Sequence, residues 1–290
     1  MKHLSLLFLL GAFLLSVAFR ASPQSSPPVL VGAGDIADCT NIGGAQATAA
    51  LLDSIPGTVF TLGDNGYPDG SDFNFSHCYD ITWGRHRYRT LPTIGNHEYN
   101  LPDGMDYYNY YGPSAGTPMH AWYSYNIGTW HIIVLDSNCN QIDCGAGSAE
   151  YTWLQNDLAA NTQACTMAMW HHPLFVSAAV GIKTWSQPWW QLLYNAKADL
   201  NLVAHVHVYE RFASQNPSGQ ADPNGIVELV VGTGGESHGG FDTILANSLV
   251  RNGDAFGVLK LTLQANGYTF QFIPQAGSSF SDSGSATCHK

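Results

Sequence analysis

The sequence predicts an α/β fold in which layered β-sheets are covered by helices. Short β-rich apolar runs alternate with stretches of helical character or with Gly-, Pro- and Asn-rich segments, as expected of such layers. Five of the apolar runs end at a polar residue, which is typical of buried strands that reach a loop. The chain has 290 residues, of which 45% are hydrophobic, so it can bury one large core.

The polar residues at the ends of these five runs are candidate functional side chains. The runs are PPVLVGAG before Asp35, TVFTLG before Asp64, TLPTIG before Asn96 and His97, CTMAMW before His171 and His172, and LNLVA before His205 and His207. In open α/β sheets a ligand binds beyond the carboxyl ends of the strands. We therefore expect these side chains to meet in space.

Two helices and three further strands follow from periodicity. NIGGAQATAALLDSI places Ala and Leu at helical spacing between the first two runs, and SAEYTWLQNDLAAN is a second helix capped by Ser148. GIVELVVGTGG, FGVLKLTL and YTFQFIP are predicted strands. The Tyr-rich stretch from Pro102 to Ser124 is expected either to loop over the site or to pack on the surface. The predicted domain covers residues 27–275, and residues 276–290 form a tail pinned by Cys288.

The first 18 residues are predicted to be a secretory signal peptide. Lys2 and His3 precede the apolar run LSLLFLLGAFLLSVAF, and the small residues Ser16 and Ala18 favour cleavage after Ala18. An uncleaved membrane anchor is the alternative. The sequence thus predicts a secreted or periplasmic protein.

The cysteines lie beyond this segment and are even in number, at positions Cys39, Cys78, Cys139, Cys144, Cys165 and Cys288. An even number suits disulfide formation in an oxidising compartment. None has a CxxC spacing, which argues against thiolate zinc. Among the possible pairings only Cys139 with Cys144 stands out, because it would close a short loop.

Charge argues against a nucleic-acid partner. The formal net charge is −11, which gives no general attraction to polyanions. The one basic cluster is Arg85, Arg87 and Arg89 in WGRHRYR. The sequence leaves open whether this cluster is a solvated face or a phosphate clamp.

The residue types at the strand ends are those that hold a pair of metal ions. Two hard or borderline cations need oxygen and imidazole ligands from several strands, with one carboxylate able to bridge them. Any one of these side chains is more often a turn or cap residue, and only the set points to metal. The set is Asp35, Asp64, Asn96, His171, His205 and His207.

Local spacing supports the same interpretation. His205 and His207 are two residues apart in AHVHVYER, so in an extended segment both imidazoles leave the same face. A solvated strand can also carry such a pair without metal. Gly63 in GDNGY and Gly95 in GNHE allow tight turns directly before the polar side chains.

The order of these motifs resembles that of the calcineurin-like metallophosphoesterases, whose blocks run D, GD, GNH[DE], H and GHxH. Here the blocks are GAGDIAD, GDNGYPDG, GNHEY, WHHP and AHVHVYER, and they span Asp35 to Arg211. Tyr67, three residues after Asp64, and HVHVYER resemble the small single-domain purple acid phosphatases. The resemblance implies two packed mixed β-sheets flanked by helices, a four-layer sandwich with the metal site at the C-terminal ends of the strands.

The resemblance also implies roles for individual residues. Asp64 would bridge the two metals. The remaining ligands would be Asp35, Tyr67 and His207 at the first site, and Asn96, His171 and His205 at the second. His97 would meet the phosphoryl group or the leaving oxygen, or else orient a neighbouring group. In WHHP the ligand lies two residues before the proline, which selects His171 and leaves His172 as an outer or substrate-facing group.

Two departures accompany the resemblance. Ala204 stands where the family usually has Gly, which should be tolerated if the turn does not need a positive φ. The plant enzymes carry an additional N-terminal β-domain, whereas here we expect only a short segment before the first strand. Of the other histidines, His131 is expected to pack in the core or at its edge, and His238 in GTGGESHGG is a weaker candidate for the site.

The predicted function is hydrolysis of phosphate monoesters by an acid phosphatase-like enzyme, through in-line attack of a metal-bound hydroxide. The expected cofactors are two metal ions, with Fe(III) at the first site and Fe, Zn or Mn at the second. His97 and His172 are the expected catalytic side chains. The alternatives are a phosphodiesterase or nucleotide-cleaving enzyme on the same scaffold, and a non-catalytic metal-binding module. The expected partner is a small-molecule phosphate ester, and no stable membrane anchor, nucleic acid or protein partner is predicted.

Overall fold

The computed structural model describes residues 26–178 and 184–290. The predicted signal peptide, residues 1–18, lies outside the described residues. In the part of the chain that is described, no helix combines the length and the apolar character needed to span a membrane.

The regular elements follow one another along the chain as strands interrupted by helices. The strands are β1 (Val29–Ala33), β2 (Ala37–Asp38), β3 (Thr58–Thr61), β4 (Gly66–Tyr67), β5 (Thr90–Leu91), β6 (Tyr123–Ile127), β7 (Trp130–Val134), β8 (Cys165–Met169), β9 (Leu200–Val203), β10 (Tyr209–Phe212), β11 (Val227–Val231), β12 (Ser248–Asn252), β13 (Gly257–Gln264), β14 (Gly267–Pro274) and β15 (Asp282–Thr287). The α-helices are α1 (Gly43–Ser54), α2 (Asp72–Asn74), α3 (Met105–Tyr111), α4 (Ala149–Ala160) and α5 (Gln187–Asn195).

The strands form two large mixed sheets, and β2 and β4 form a separate parallel pair. In the first, with the order β15-β14-β13-β1-β3-β5, the strands β1, β3 and β5 are parallel and the other three are antiparallel additions. In the second, with the order β12-β10-β11-β9-β8-β7-β6, a parallel centre of β7, β8, β9 and β11 is flanked by antiparallel strands. The prediction of two packed mixed sheets is confirmed.

One core cluster joins the two sheets, with Leu30 and Phe60 from the first packed among Ile132 and Leu202 from the second. A second cluster covers the second sheet with α4 and α5, through side chains such as Leu154, Trp189 and Leu193. Strands β7, β8 and β9 are buried along their whole length, which is why they appear in the sequence as continuous apolar runs.

Both predicted helices are present. Helix α1 buries Ala45, Ala49 and Leu52, a spacing that places one stripe against the sheet. Helix α4 is capped as expected, because the hydroxyl of Ser148 accepts a hydrogen bond from the backbone N–H of Tyr151 at 3.1 Å.

The Tyr-rich stretch from Pro102 to Ser124 contains helix α3 rather than only a loop. Tyr107 and Tyr111 of this helix are buried, and Tyr111 packs edge-on against Phe75. The hydroxyl of Tyr111 donates to Oδ1 of Asn65 at 3.2 Å, next to Asp64. The stretch therefore packs into the core beneath the candidate site, which differs from both expectations, a loop over the site and packing on the surface.

The C-terminal segment and the disulfides tie distant parts of the chain together. Within the expected tail, β15 pairs with β14 and so forms one edge of the first sheet. The predicted pair Cys139–Cys144 is present. The other disulfides are Cys39–Cys78 and Cys165–Cys288, the latter closing a sequence separation of 123 residues. Such cross-links stabilise a fold mainly by restricting the unfolded chain.

The basic cluster has structural partners. Arg85 forms a bidentate ion pair with Asp53 at 2.7 and 2.8 Å, and Arg87 lies over the ring of Tyr110 at 4.5 Å. Arg89 donates to three carbonyls around the end of α1, those of Leu52, Ile55 and Gly57. These contacts cap α1 and favour the surface interpretation over a phosphate clamp.

Candidate metal centre

The carboxyl ends of strands from both sheets meet at one place. Asp35 follows β1, Asp64 follows β3, His171 follows β8 and His205 follows β9. Asn96 follows the short strand β5. The two large sheets therefore deliver the candidate ligands to a common edge, as the rule for parallel strands predicts.

The backbone is in the left-handed region at three of these positions. Asp35, Asp64 and His205 have φ of 58°, 51° and 67°. This region costs a non-glycine residue about 1–3 kcal/mol, and such residues cluster at functional sites. Ala204 is not among the positive-φ residues, so the condition for tolerating alanine there is met.

The segment AHVHV is bent and not extended, so the condition for both imidazoles to leave one strand face is not met. Residues 204–208 form consecutive tight bends, with the backbone N–H of Val206 donating to the carbonyl of Ala204 at 2.8 Å. Both imidazoles nevertheless reach the centre. The left-handed backbone at His205, which no pattern in the sequence signals, allows this.

One group of donor atoms surrounds Nε2 of His171. That nitrogen lies 3.1 Å from Oδ1 of Asn96, 3.2 Å from Oδ2 of Asp64 and 3.2 Å from Nδ1 of His205. The other ring nitrogen of His171 lies 2.7 Å from the carbonyl oxygen of Leu62. That contact holds the Nδ1 proton and directs Nε2 toward the other donors.

A second group surrounds the phenol of Tyr67. Its hydroxyl lies 2.8 Å from Oδ1 of Asp35, 3.0 Å from Oδ2 of Asp64 and 3.3 Å from Nε2 of His207. Nε2 of His207 also lies 3.5 Å from Oδ1 of Asp35. The structure thus brings together Asp35, Tyr67 and His207, as the resemblance implies.

Asp64 belongs to both groups. Its Oδ2 contacts the Tyr67 hydroxyl and Nε2 of His171, while its Oδ1 accepts the backbone N–H of His97 at 2.8 Å. A carboxylate in this position can bridge two cations. Oδ2 of Asp35 is buried and has no hydrogen-bond partner, which leaves a negatively charged oxygen that a cation would satisfy. Oxygen and imidazole donors of this kind fit a pair of metal ions.

The carboxylates of the centre stabilise the protonated form of a neighbouring imidazole. Burial disfavours ionisation of Asp64, yet the neighbouring His171 and His97 hold the pKa of its carboxyl below the ordinary value. Burial also disfavours a charged His171, but the attraction of Asp64 raises the pKa of that imidazole to about 9. Metal ions would compete with protons for these same atoms.

Burial and neighbouring charges also shift the pKa values of His207, His205 and Tyr67. Burial opposes charge on His207, but Asp35 and Glu236 raise its pKa to about 10. Burial and the neighbouring His171 lower the pKa of His205 to about 4, so that ring is neutral and able to ligate a metal. Burial, together with Asp35 and Asp64, raises the pKa of the Tyr67 phenol well above its ordinary value.

His97 and His172 lie beside the two groups. Nδ1 of His97 is 2.6 Å from the carbonyl oxygen of Pro68, so it carries the proton, and Nε2 faces the centre 3.9 Å from Oδ2 of Asp64. His172 is buried, with Nδ1 2.9 Å from the hydroxyl of Ser137. Its ring centre lies 4.4 Å from that of His205.

Two acidic residues support the ligands and were missed in the sequence. The carboxylate of Glu98 accepts the backbone N–H groups of Asp64, Asn65 and Gly95 at 3.1, 2.6 and 2.7 Å, which fixes two ligand loops against each other. The carboxylate of Glu236 lies 2.7 Å from Nδ1 of His207. Glu98 could have been found in the sequence, because it belongs to the motif GNHE that also contains Asn96. Glu236 belongs to no such motif and is marked only by the Gly-rich loop around it.

The other histidines lie apart from the ligand groups. His238 stacks on the ring of Phe256, with centroids 4.0 Å apart. His131 lies between Asn126 and Asp157, at 2.8 and 2.7 Å from their oxygens, which agrees with the expected role in packing.

Comparison with known proteins gives one family and several relatives. The profile of the calcineurin-like phosphoesterase family matches residues 28–209. The chain is 31% identical to probable purple acid phosphatase 20 of Arabidopsis thaliana over 170 residues, covering 55% of this chain and 38% of that protein. It is 27% identical to purple acid phosphatase 22 of the same plant over 248 residues, covering 77% and 54%. The chain thus spans about half the length of these curated relatives or less.

A solved structure has the same fold. The purple acid phosphatase PPD1 from yellow lupin superposes with a TM-score of 0.72 at 19% sequence identity, over 91% of this chain and 54% of that one. At this identity the likeness concerns the fold alone. It agrees with the two-sheet architecture described above.

Proposed function

The chain belongs to the calcineurin-like phosphoesterase family, and on that premise we propose that it is a metal-dependent phosphatase acting on phosphate monoesters. The observation that carries the proposal is the position of Asp64, whose Oδ2 contacts both groups of candidate ligands. A single carboxylate shared by two adjacent donor sets is what a dinuclear site requires. The similarity to plant purple acid phosphatases favours monoesters over diesters.

The proposed ligand sets follow the two groups. Asp64 bridges, and the remaining ligands are Asp35, Tyr67 and His207 at the first site, with Asn96, His171 and His205 at the second. A phenol and two carboxylates favour a hard, strongly polarising ion such as Fe(III) at the first site. An amide, two imidazoles and a shared carboxylate suit Fe, Zn or Mn at the second.

The protein's own groups would position the substrate and move a proton. Two bound cations would lower the pKa of a coordinated water and offset charge on the phosphoryl oxygens. The Nδ1–H of His97 donates a hydrogen bond to the carbonyl oxygen of Pro68, which leaves Nε2 to carry the proton that passes to the leaving oxygen. His172, held by Ser137 beside His205, is placed to orient that ligand or to meet a phosphoryl oxygen.

Export from the cytoplasm is part of the same proposal. The three disulfides of the described residues suit an oxidising compartment, in agreement with the signal-like sequence before Ala18. We therefore propose a secreted or periplasmic location.

The test joins metal analysis to a comparison of substrates. The purified protein is expected to hold two metal ions per chain and to hydrolyse an aryl phosphate monoester faster than the corresponding diester. Removal of the metals by a chelator should abolish turnover, and adding them back should restore it. Faster cleavage of the diester would replace the monoesterase by a diesterase. Full metal loading without turnover of either ester would make the chain a non-catalytic metal-binding protein.

A further inference from the structure

A cavity of about 240 Å³ lies between the HVHV segment and the Gly-rich loop that follows β11. Its apolar lining consists of Ala178, Val206, Val208, Gly239 and Gly240. His205 and His207 complete the wall. The cavity therefore shares two residues with the candidate metal centre.

These two histidines belong to different donor groups. His205 contacts His171, and His207 contacts Tyr67. Both are partly exposed, whereas the side chains of Asp35, Asp64 and His171 are buried. The exposed side of the centre is thus that of His205 and His207, the two residues that also line the cavity.

The residues that line the cavity determine which chemical group of a bound molecule it can hold. Among the described residues that form the cavity there is no lysine or arginine, and Glu236 lies next to its wall against His207. An anionic group at the apolar end of the cavity, away from the metal ligands, would lose its hydration without a lysine or arginine to pair with and would also be repelled by Glu236. An apolar cavity of roughly 150 Å³ is enough to bind benzene, so this cavity is large enough for one aryl ring.

We propose that this cavity is the subsite for the organic group of the substrate, and that it selects phosphate esters of an uncharged aryl or compact alkyl group. The proposal rests on the proposed function, since the phosphate is taken to be held at the metal centre. It predicts discrimination against esters whose organic part carries a carboxylate or a second phosphate.

Gly240 allows the cavity to be filled without disturbing the ligands. A Cβ atom added at Gly240 meets no heavy atom within 4 Å, and its backbone is outside the left-handed region. At the neighbouring Gly239, by contrast, an added Cβ would lie 3.0 Å from Val208 and 3.1 Å from the carbonyl oxygen of His207. Gly240→Leu should therefore occupy the cavity, and Gly240→Ala is the matched control with the same loss of glycine but little added volume.

The experiment measures the binding of non-hydrolysable phosphonates to the metal-loaded protein by calorimetry. The wild type should bind phenylphosphonate at least about 10-fold more tightly than methylphosphonate, because the ring is buried. It should bind 4-carboxyphenylphosphonate more weakly than phenylphosphonate. Gly240→Leu should remove the preference for the phenyl compound while keeping metal content and methylphosphonate affinity, and Gly240→Ala should retain most of that preference.

The outcomes separate the two proposals. Equal affinities for phenyl- and methylphosphonate in the wild type, or equal affinities for the phenyl and carboxyphenyl compounds, would overturn the subsite while leaving the phosphatase intact. An unchanged phenyl preference in a folded, metal-loaded Gly240→Leu protein would do the same. If the wild type bound neither phosphonate nor inorganic phosphate, the proposed function itself would fail. The wild-type series alone decides the matter if the leucine variant does not fold.

Discussion

The carboxylate of Glu236 lies 2.7 Å from Nδ1 of His207, the ring nitrogen that faces away from Tyr67 and Asp35. The hydroxyl of Ser237 is 2.6 Å from the same nitrogen and also bonds to Glu236. A carboxylate that holds the Nδ1 proton fixes the tautomer in which Nε2 is free to bind a metal, and it makes that nitrogen a stronger ligand.

Glu236→Ala should therefore weaken metal binding at the first site by about 10–100-fold and leave the second site nearly unchanged. Glu236→Gln should have a smaller effect, because its amide oxygen can still accept the proton of His207. Metal content after dialysis against increasing concentrations of chelator measures the metal affinity of each site. Asp242→Ala, which removes an exposed carboxylate from the same loop, is the control. Unchanged affinity in Glu236→Ala would argue against the role.

Asp64→Ala should empty both sites and abolish turnover, because Oδ2 of Asp64 contacts both donor groups. Asp35→Ala should act chiefly on the first site, since Oδ1 of Asp35 contacts Tyr67 and His207. Metal stoichiometry per chain distinguishes the two variants. A loss of less than one metal ion in Asp64→Ala, with activity largely kept, would refute the bridging role.

His97→Ala should slow turnover by about 10²–10⁴-fold, the usual scale for a general acid, and should leave both metals bound. The backbone N–H of His97, which donates to Asp64, is kept in the variant. Steady-state rates and metal content are measured together. His238→Ala, which removes the ring stacked on Phe256, should retain activity. Collapse of metal content in His97→Ala would reassign the residue as a ligand or as support for one.

Tyr67→Phe should bleach the colour of the protein if the first site holds ferric iron. The pKa of this phenol is raised by burial and by two carboxylates, so only a strongly polarising cation would bind it as phenolate. The absorption band expected from charge transfer between phenolate and iron gives the readout. Tyr107→Phe, a buried tyrosine bonded to the carbonyl of Pro92, should keep the colour. A colourless, active, fully metallated wild type without iron would remove the iron assignment.

Glu150→Gln should reduce the loss of stability at rising pH. Burial, and then the neighbouring Asp136, raise the pKa of the Glu150 carboxyl well above its ordinary value of 4.5. Above pH 4.5 the unfolded chain releases a proton that the folded chain keeps, so the free energy of unfolding falls as pH rises toward the raised pKa.

At pH 7 Glu150→Gln should therefore be more stable than the wild type, because it removes a carboxyl group whose ionisation the folded state disfavours. The amide oxygen can still accept the backbone N–H of Asp136, now at 2.7 Å from the carboxylate. Denaturant melts between pH 4 and 8 check the prediction. At the acid end the two proteins should coincide, and a variant that is less stable at every pH would contradict it.

The sequence by itself determined the elements that depend on neighbouring residues. Buried runs marked the strands before Asp35, Asp64, His171 and His205, and Ser148 marked the start of α4. The order of these runs, with the rule that parallel strands present their carboxyl ends at one edge, was enough to predict that the polar residues converge. The pairing of Cys139 with Cys144 could be predicted for the same reason, because the two residues are close together in the sequence.

Only the tertiary structure decided the contacts between segments far apart in the chain. The pairing of Cys165 with Cys288, the edge strand β15, the carboxylate of Glu236 behind His207 and the cavity at Gly240 are of this kind. Local sequence records the period of a strand or helix and the chemistry of a turn. It carries no comparable signal for a single contact that exists only after two sheets have packed, so these features emerged from the packing and not from any pattern.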